Sequence, residues 1–314
     1  EDAVRETVAV ARAEGVALDP DQLLATTWNV ADALAELYSS TAQDVQRYTE
    51  SYRNAILDIH QHYESRLQAG SLSIKLSALH PRFELRQGKG LDALHNTLLE
   101  LLLLAQEKDV AVTIDAEESW RLEPGLMAFA RVASHNKIRH WGKLGLAVQA
   151  YQKRAPKVLQ WLMDVSKTLH CQIPVRLVKG AYWHTEIKQT QQLGLDEYPV
   201  YTLKSHSDLS YLYCAQMLLE GKHFLFPQFA THNAHTVASI ITLAEEKGLK
   251  QFEFQRLHGM GEALYDHVLS TFEDAQCRVY APVGNFQDLL PYLVRRLLEN
   301  GANTSFVRQI QLAQ

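Results

Sequence analysis

The sequence is poor in cysteine and contains no long apolar run. Among its 314 residues only Cys171, Cys214 and Cys277 are cysteines, an odd number at wide spacings. These spacings exclude a disulfide framework or a CxxC metal site and fit a reducing compartment. The longest apolar run, 98–105, is interrupted by Glu100 and is far too short to span a bilayer.

Other absences narrow the function. No basic and apolar signal sequence begins the chain, so we expect a cytoplasmic protein, for which peripheral contact with the inner face of the cytoplasmic membrane stays open. The net charge of −5 argues against binding to nucleic acid. No Walker, GxGxxG or GxSxG sequence occurs, so a bound nucleotide would be held in another way, and no nucleophilic triad stands out.

Helical and strand patterns divide the chain. Residues 1–69 carry apolar positions at helical spacing, including a predicted helix over 42–68. Beyond them the sequence predicts strands over 72–78, 110–116, 144–150, 173–179, 224–230, 251–257 and 277–282. Helical segments follow most of these, which is typical of parallel βα units in an α/β barrel. We therefore expect a helical arm over 1–40 and one barrel domain over 41–314, with seven visible strands rather than eight.

Polar residues stand at the ends of these strands. In a parallel barrel the active site is built at the carboxyl ends of the strands, so residues there are candidates. The candidates found in this way are Lys75, Asp115, Gln149, Arg176, Lys179, Thr231, His232, Asn233 and Tyr280. A single one could be a satisfied buried polar group, whereas a set at equivalent positions predicts a cationic mouth that attracts an anion.

A predicted helix over 288–301 contains the pair Arg295 and Arg296. Leu290, Leu293, Val294 and Leu297 share its apolar stripe, and the arginines lie on another face. Two guanidinium groups are a natural clamp for a carboxylate. The alternative is a solvated helix face with an ion pair between Arg295 and Glu299.

Two other functions are considered for residues at this predicted mouth, namely metal binding and Schiff-base formation. His232 and His235 have a spacing at which histidines can share a metal, but spacing alone is weak evidence, so we expect no metal site. Lys179 at a strand end could form a Schiff base with a carbonyl substrate, as in aldolases. A barrel that only binds an anion would not explain why Tyr182, Trp183 and Tyr280 crowd the same mouth.

Motifs at the strand ends carry a resemblance to a known family. They are SIKLSALHPR (73–82), IDAEES (114–119), QAYQKR (149–154), RLVKGAYW (176–183), YPVYT (198–202), QFATHNAHT (228–236), LHGMGE (257–262), YAPVG (280–284) and YLVRRLLENGANTSFV (292–307). Together they resemble the proline dehydrogenase domain of the bacterial PutA flavoenzymes. The resemblance implies a distorted (βα)8 barrel that binds FAD non-covalently, oxidises L-proline to Δ1-pyrroline-5-carboxylate and passes electrons to a quinone.

The resemblance also implies roles for individual residues. Arg295, Arg296 and Lys75 would hold the proline carboxylate, and Asp115 would neutralise and orient this cationic cluster. The walls of the proline site would be Ala181, Tyr182, Leu257 and Tyr280. The expected FAD contacts are Gln149, Arg176, Val178, Lys179, Gly180, Trp183, Thr202, Thr231, His232, Asn233 and Glu299. A positive charge near the flavin N1 and O2 atoms would stabilise the reduced anionic flavin, and Arg176 is the candidate.

The sequence departs from the family in two places. The first strand expected before the helix over 42–68 is not visible, and the loop after Phe83 differs from the usual sequence. PutA proteins usually carry an aldehyde dehydrogenase domain as well. The sequence is compatible both with a separate enzyme and with a part of such a bifunctional protein.

Overall fold

The computed structural model describes residues 42–63, 70–80, 83, 89–272 and 274–282. They belong to two compact units, one ending at Ile114 and also including Pro282, the other running from Asp115 to Ala281. The predicted helix over 288–301 and the predicted arm over 1–40 lie outside the described residues. The same holds for any strand that would precede residue 42.

The first unit pairs two parallel strands and covers them with helices. In chain order its elements are α1 (Ala42–Tyr63), β1 (Ser71–Ile74), α2 (Leu76–Leu79), α3 (Lys89–Glu107) and β2 (Ala111–Ile114). Strands β1 and β2 run parallel in the register Ser71 to Ala111. The predicted strand over 72–78 is therefore too long, because residues after Ile74 turn into a short helix whose Leu76 carbonyl accepts a hydrogen bond from the His80 N–H.

Helices α1 and α3 bury stripes with the same spacing. In α1 the buried positions include Tyr52, Ile56 and Ile59, and in α3 they include Leu94 and Leu98. Positions three and four residues apart lie on one face of a helix, which explains why these sequences pack against one another and against their strands.

The second unit is a series of parallel strands connected by helices. Its elements are a 3₁₀ turn (Ser119–Arg121), α4 (Leu122–Ala133), β3 (Leu144–Gln149), α5 (Ala155–Leu169), β4 (Ile173–Val178), α6 (Trp183–Gln192), α7 (Lys204–Glu220), β5 (Leu225–Ala230), α8 (Ala234–Glu246), β6 (Glu253–Leu257), α9 (Glu262–Thr271) and β7 (Cys277–Tyr280). Each strand from β3 to β6 pairs in parallel with the next strand in the chain. The predicted α/β class with sequential parallel strands is confirmed.

The burial of the strands follows from this architecture. Every residue of β3 is buried, as expected for a parallel strand that is covered on both faces. Phe229, Phe254 and Tyr265 form an aromatic cluster between β5, β6 and α9, with ring centroids 5.6–6.2 Å apart. This cluster packs α9 against β5 and β6.

Candidate active site

The carboxyl ends of β3 to β7 bring many of the predicted site residues to one edge of the second unit. Gln149 lies beside Val178 in the register of β3 and β4. Leu257 lies beside Tyr280 in the register of β6 and β7. The turn that follows β5 begins at Thr231, directly after Ala230. Parallel pairing of sequential strands places these residues together because all the strands end at the same edge.

Arg176 is a buried, ion-paired cation at this edge. Its Nη1 donates to Asp115 Oδ1 at 2.8 Å, and the side chains of Arg176 and Asp115 are only 8% and 14% exposed. Its Nε donates to Gln255 Oε1 at 2.7 Å. The guanidinium carbon lies 5.3 Å from the centroid of the Tyr280 ring. A paired, hydrogen-bonded arginine of this kind presents a charge in a fixed orientation.

Gln149 joins two loops that leave this edge. Its Nε2 donates to the Glu117 carbonyl oxygen at 2.7 Å, and its Oε1 accepts from the Ala181 N–H at 3.1 Å. The side chain is buried. Gln149 therefore positions Ala181, one of the predicted walls of the proline site.

The loop after β4 is shaped by Gly180 and Tyr151. Gly180 has a φ of 146°, and a Cβ there would overlap the Tyr151 ring. The Tyr151 hydroxyl oxygen accepts from the Tyr182 N–H at 3.2 Å. The absence of a side chain at Gly180 thus lets Tyr151 lie beneath the loop and hold it, a role that the resemblance did not include.

Lys179 turns toward α7. Its ammonium pairs with Asp208, whose other oxygen accepts from Lys204 at 2.9 Å. Burial raises the pKa of Asp208, but the two lysine hydrogen bonds outweigh burial and hold that pKa below its usual range. A Schiff-base lysine must present its amine to a carbonyl. The engagement of Lys179 by Asp208 therefore weighs against that alternative.

Trp183 and Thr202 lie on the solvent side of the same loops. The Trp183 indole N–H donates to the Tyr201 carbonyl oxygen at 3.0 Å, and 37% of the residue is exposed. Thr202 is exposed two residues before α7 begins at Lys204. An exposed indole with a fixed orientation can cover one end of a bound cofactor.

The turn between β5 and α8 uses its polar groups locally. Asn233 caps α8 by accepting from the Thr236 N–H at 3.0 Å. The Asn233 N–H donates to Thr231 Oγ1 at 3.2 Å. His232 Nε2 accepts from the Leu257 N–H at 3.0 Å, which places the ring proton of neutral His232 on Nδ1.

The environment of His232 favours the neutral ring. Burial, followed by the nearby charge of Arg256, lowers its pKa. His235 is exposed, and no group of three candidate metal ligands occurs in the described part of the chain. The hydrogen bond from Leu257 gives His232 a structural role in joining the ends of β5 and β6.

For four predicted site residues the assigned roles stay predictions. Arg295, Arg296 and Glu299 lie outside the described residues, so their roles stay predictions. Lys75 belongs to the first unit, where it is buried and its N–H donates to the Tyr52 hydroxyl at 3.2 Å. Its role toward a carboxylate also stays a prediction.

Three positioning residues were missed from the sequence. They are Tyr151, Asp208 and Gln255. One signal was available for Gln255, because polar and aromatic residues alternate in QFEFQ (251–255) and thereby place Glu253 and Gln255 on the same face of a strand. The other two act through partners that are distant in the sequence.

A sequence model described as proline dehydrogenase matches residues 25–309. The chain belongs to the proline dehydrogenase family. It is 48% identical to the bifunctional protein PutA of Escherichia coli over 278 residues, which are 86% of this chain and 21% of that protein. It is 29% identical to proline dehydrogenase 1 of Bacillus subtilis over 88% of this chain and 79% of that protein.

The structural likeness agrees. A crystal structure of Bradyrhizobium japonicum PutA, a D779Y mutant, matches with a TM-score of 0.80 and 48% identity over 86% of this chain and 28% of that chain. PutA of Bdellovibrio bacteriovorus inactivated by N-propargylglycine matches with a TM-score of 0.80 and 30% identity over 87% of this chain and 30% of that chain. The likeness confirms the predicted barrel-type fold and the resemblance to the PutA proline dehydrogenase domain.

The chain spans about a fifth of the length of its PutA relative from Escherichia coli. Among the described residues, no helix combines the length and apolar character that crossing a bilayer requires.

Proposed function

We propose that this chain catalyses the FAD-dependent oxidation of L-proline to Δ1-pyrroline-5-carboxylate, the first step of proline catabolism, with a quinone as the final electron acceptor. The observation that carries the proposal is the family match over residues 25–309, together with the predicted site residues found at one edge of the second unit. The family match is the basis on which we assign this activity and this substrate to the chain.

The residues at the edge fit a flavin. Arg176 offers a buried cation in a fixed orientation, which suits a cofactor that becomes anionic on reduction. Gly180 has no side chain, and Tyr151 occupies the space where one would project. The backbone of the loop can therefore approach a cofactor closely. Trp183 and Thr202 are exposed beside it. When bound, FAD would supply the hydride acceptor for C5 of proline.

In this proposal the expected FAD contacts fall into two groups. The charged and polar groups at the strand ends would hold the cofactor through Arg176, Lys179, Thr231, Asn233 and Glu299. The other contacts would come from the loops and neighbouring side chains, namely Gln149, Val178, Gly180, Trp183, Thr202 and His232. Several of these also fix the loops, so their contribution combines contact with positioning.

The remaining site residues would hold the substrate. The proline carboxylate would be bound by Arg295, Arg296 and Lys75. The proline ring would be enclosed by Ala181, Tyr182, Leu257 and Tyr280. Asp115 would neutralise and orient this cationic cluster, and its ion pair with Arg176 supports that role. A carboxylate clamp fixes the pose from which C5 can react, and proline bound as the free amine needs no strong side-chain base.

The partners follow from the same proposal. Electrons would leave the flavin for a quinone, which requires a cytoplasmic protein to approach the membrane surface peripherally. The PutA relatives are named bifunctional. We accordingly propose that the barrel acts together with an aldehyde dehydrogenase domain that would consume the product.

The first test is an absorbance spectrum of the purified protein before and after anaerobic addition of L-proline. A flavin spectrum that bleaches supports the proposal. A flavin that proline leaves oxidised would move the substrate elsewhere, and a colourless protein trapped on Lys179 by borohydride and a carbonyl compound would favour the Schiff-base alternative. D-proline serves as the matched control substrate, because it places the carboxylate on the opposite face of the ring.

A further inference from the structure

Several polar side chains are buried inside the strands β4 to β6. Arg176 lies beside Gln228 in the register of β4 and β5, and Gln228 lies beside Glu253 in the register of β5 and β6. Gln255, two residues after Glu253, projects from the same face of β6. All four are at least nine-tenths buried. Buried polar groups carry a cost unless they are hydrogen-bonded, so each bond in this group matters.

Gln255 has a defined orientation in this group. Its Nε2 donates to Glu253 Oε1 at 2.7 Å, and its Oε1 accepts from Arg176 Nε at 2.7 Å. Reversing the amide would set its NH2 against the guanidinium N–H and its oxygen against the carboxylate. Glu253 therefore determines which end of the Gln255 amide faces Arg176.

The acid itself is neutralised within the same group. Arg278 Nε donates to Glu253 Oε1 at 3.0 Å, and Arg278 Nη2 donates to Glu253 Oε2 at 3.1 Å. The bidentate pair with Arg278 holds the Glu253 carboxylate in place. Gln255 therefore links the fixed Glu253 carboxylate to Arg176 through its two hydrogen bonds. Its neutral amide adds no negative charge beside Arg176.

Arg176 is thereby fixed by three described groups. Asp115 holds Nη1, Gln255 holds Nε, and the Tyr280 ring lies against the guanidinium. The bonds from Nη1 to Asp115 and from Nε to Gln255 engage two different nitrogens of the guanidinium, and together they define its plane.

We propose that Gln255 is a positioning residue that orients Arg176 toward the flavin and so raises the reduction potential of the bound cofactor. This inference rests on the proposed function, in which Arg176 contacts FAD. A cation held near the flavin favours the reduced, anionic form over the oxidised form. Loss of the orientation should therefore weaken the binding of reduced FAD more than that of oxidised FAD.

Gln228 provides a matched control. It is buried like Gln255, and it donates to the same Glu253 oxygen at 2.9 Å. That bond is the one hydrogen bond that the described residues give to the Gln228 side chain, so Gln228 does not bond to Arg176. Gln228→Met and Gln255→Met thus remove the same side chain from the same buried group, but only the second removes a ligand of Arg176.

The experiment compares the midpoint potential of bound FAD in the wild-type protein, Gln255→Met and Gln228→Met, with the melting temperature and visible spectrum of each. We expect Gln255→Met to raise the ratio of the dissociation constant of reduced FAD to that of oxidised FAD at least tenfold. This change corresponds to a midpoint potential lower by about 30 mV for a two-electron couple. Gln255→Met, which removes two hydrogen bonds rather than one, should lose more melting temperature than Gln228→Met, and Gln228→Met should keep the wild-type potential.

The outcomes separate the inference from the proposed function. A wild-type protein that takes up no flavin overturns the proposed function and the inference with it. A flavin-loaded Gln255→Met protein with the wild-type potential, or equal shifts in both variants, overturns the inference alone. If the methionine variants do not fold, Gln255→Asn and Gln228→Asn repeat the comparison, and failure of these to fold assigns Gln255 a purely structural role.

Discussion

The ring of Tyr151 fills the space where a side chain of Gly180 would project. Gly180 has a φ of 146°, which L residues with a side chain rarely adopt. The Tyr151 N–H also donates to the Lys179 carbonyl oxygen at 2.8 Å, so β3 and β4 remain connected beyond their last paired residues. This contact fixes the loop that carries Ala181 and Tyr182, two predicted walls of the substrate site.

Gly180→Ala should destabilise the protein and disturb this loop. The new Cβ would have to displace Tyr151, and overpacking of this kind typically costs about 1–3 kcal/mol in addition to the backbone strain. The free energy of unfolding from urea titration measures the effect. Gly194→Ala is the control, because Gly194 has a φ of 62° and open space around it, so it bears the backbone cost alone, roughly 1–2 kcal/mol. Equal losses in the two variants would contradict the packing role of Tyr151.

Tyr151→Phe should keep the ring packing but remove the acceptor of the Tyr182 N–H. Leaving a buried N–H without this partner costs about 1–3 kcal/mol. If Tyr182 walls the proline site, the KM for proline should rise while the protein retains FAD. Ser166→Ala, which removes a hydroxyl that donates to the Cys171 carbonyl oxygen at 2.9 Å near the start of β4, should lower stability without changing KM. A wild-type KM in Tyr151→Phe would show that the hydrogen bond from the Tyr182 N–H to Tyr151 does not affect proline binding.

Arg296→Met tests the carboxylate clamp. Truncating one partner of a buried charge pair typically costs about 2–5 kcal/mol in binding, so the KM for proline should rise more than tenfold while FAD stays bound. Steady-state kinetics and the flavin absorbance of the purified variant provide the two readouts. Arg53→Met, which removes an arginine that pairs with Glu50 at 3.8 Å on α1, is the control. An unchanged KM in Arg296→Met would disprove the clamp.

Much of the fold could be predicted because the strands are short apolar runs bounded by helices. The prediction for 144–150 agrees with β3 (Leu144–Gln149), and that for 173–179 agrees with β4 (Ile173–Val178). The prediction for 72–78 was too long, because an apolar run such as LSA fits a buried helical turn as well as a strand. Periodicity over so few residues cannot distinguish the two.

The site could be predicted in part for a physical reason. Parallel strands in sequence order bring their carboxyl ends together, so residues such as Gln149 and Tyr280 could be assigned to one edge from the sequence. The partners of these residues could not be assigned, since the bond from Arg176 to Gln255 spans 79 positions. Such pairs depend on rotamers and on the stagger of the strands, which leave no local pattern.

The buried ring of His232 should make the stability of the folded protein depend on pH. Burial and the charge of Arg256 lower the pKa of His232. Protonation is therefore easier in the unfolded chain, so the contribution of His232 to stability is complete above its unfolded pKa of about 6.5 and decreases as the pH falls from there toward the lower folded pKa. Unfolding free energies of the wild type, His232→Gln and exposed His235→Gln between pH 5 and 8 measure this. We expect His232→Gln, whose amide oxygen can still accept from the Leu257 N–H, to lose this part of the slope, and His235→Gln to keep it. The same slope in all three proteins would show that neutral His232 is not required at the junction of β5 and β6.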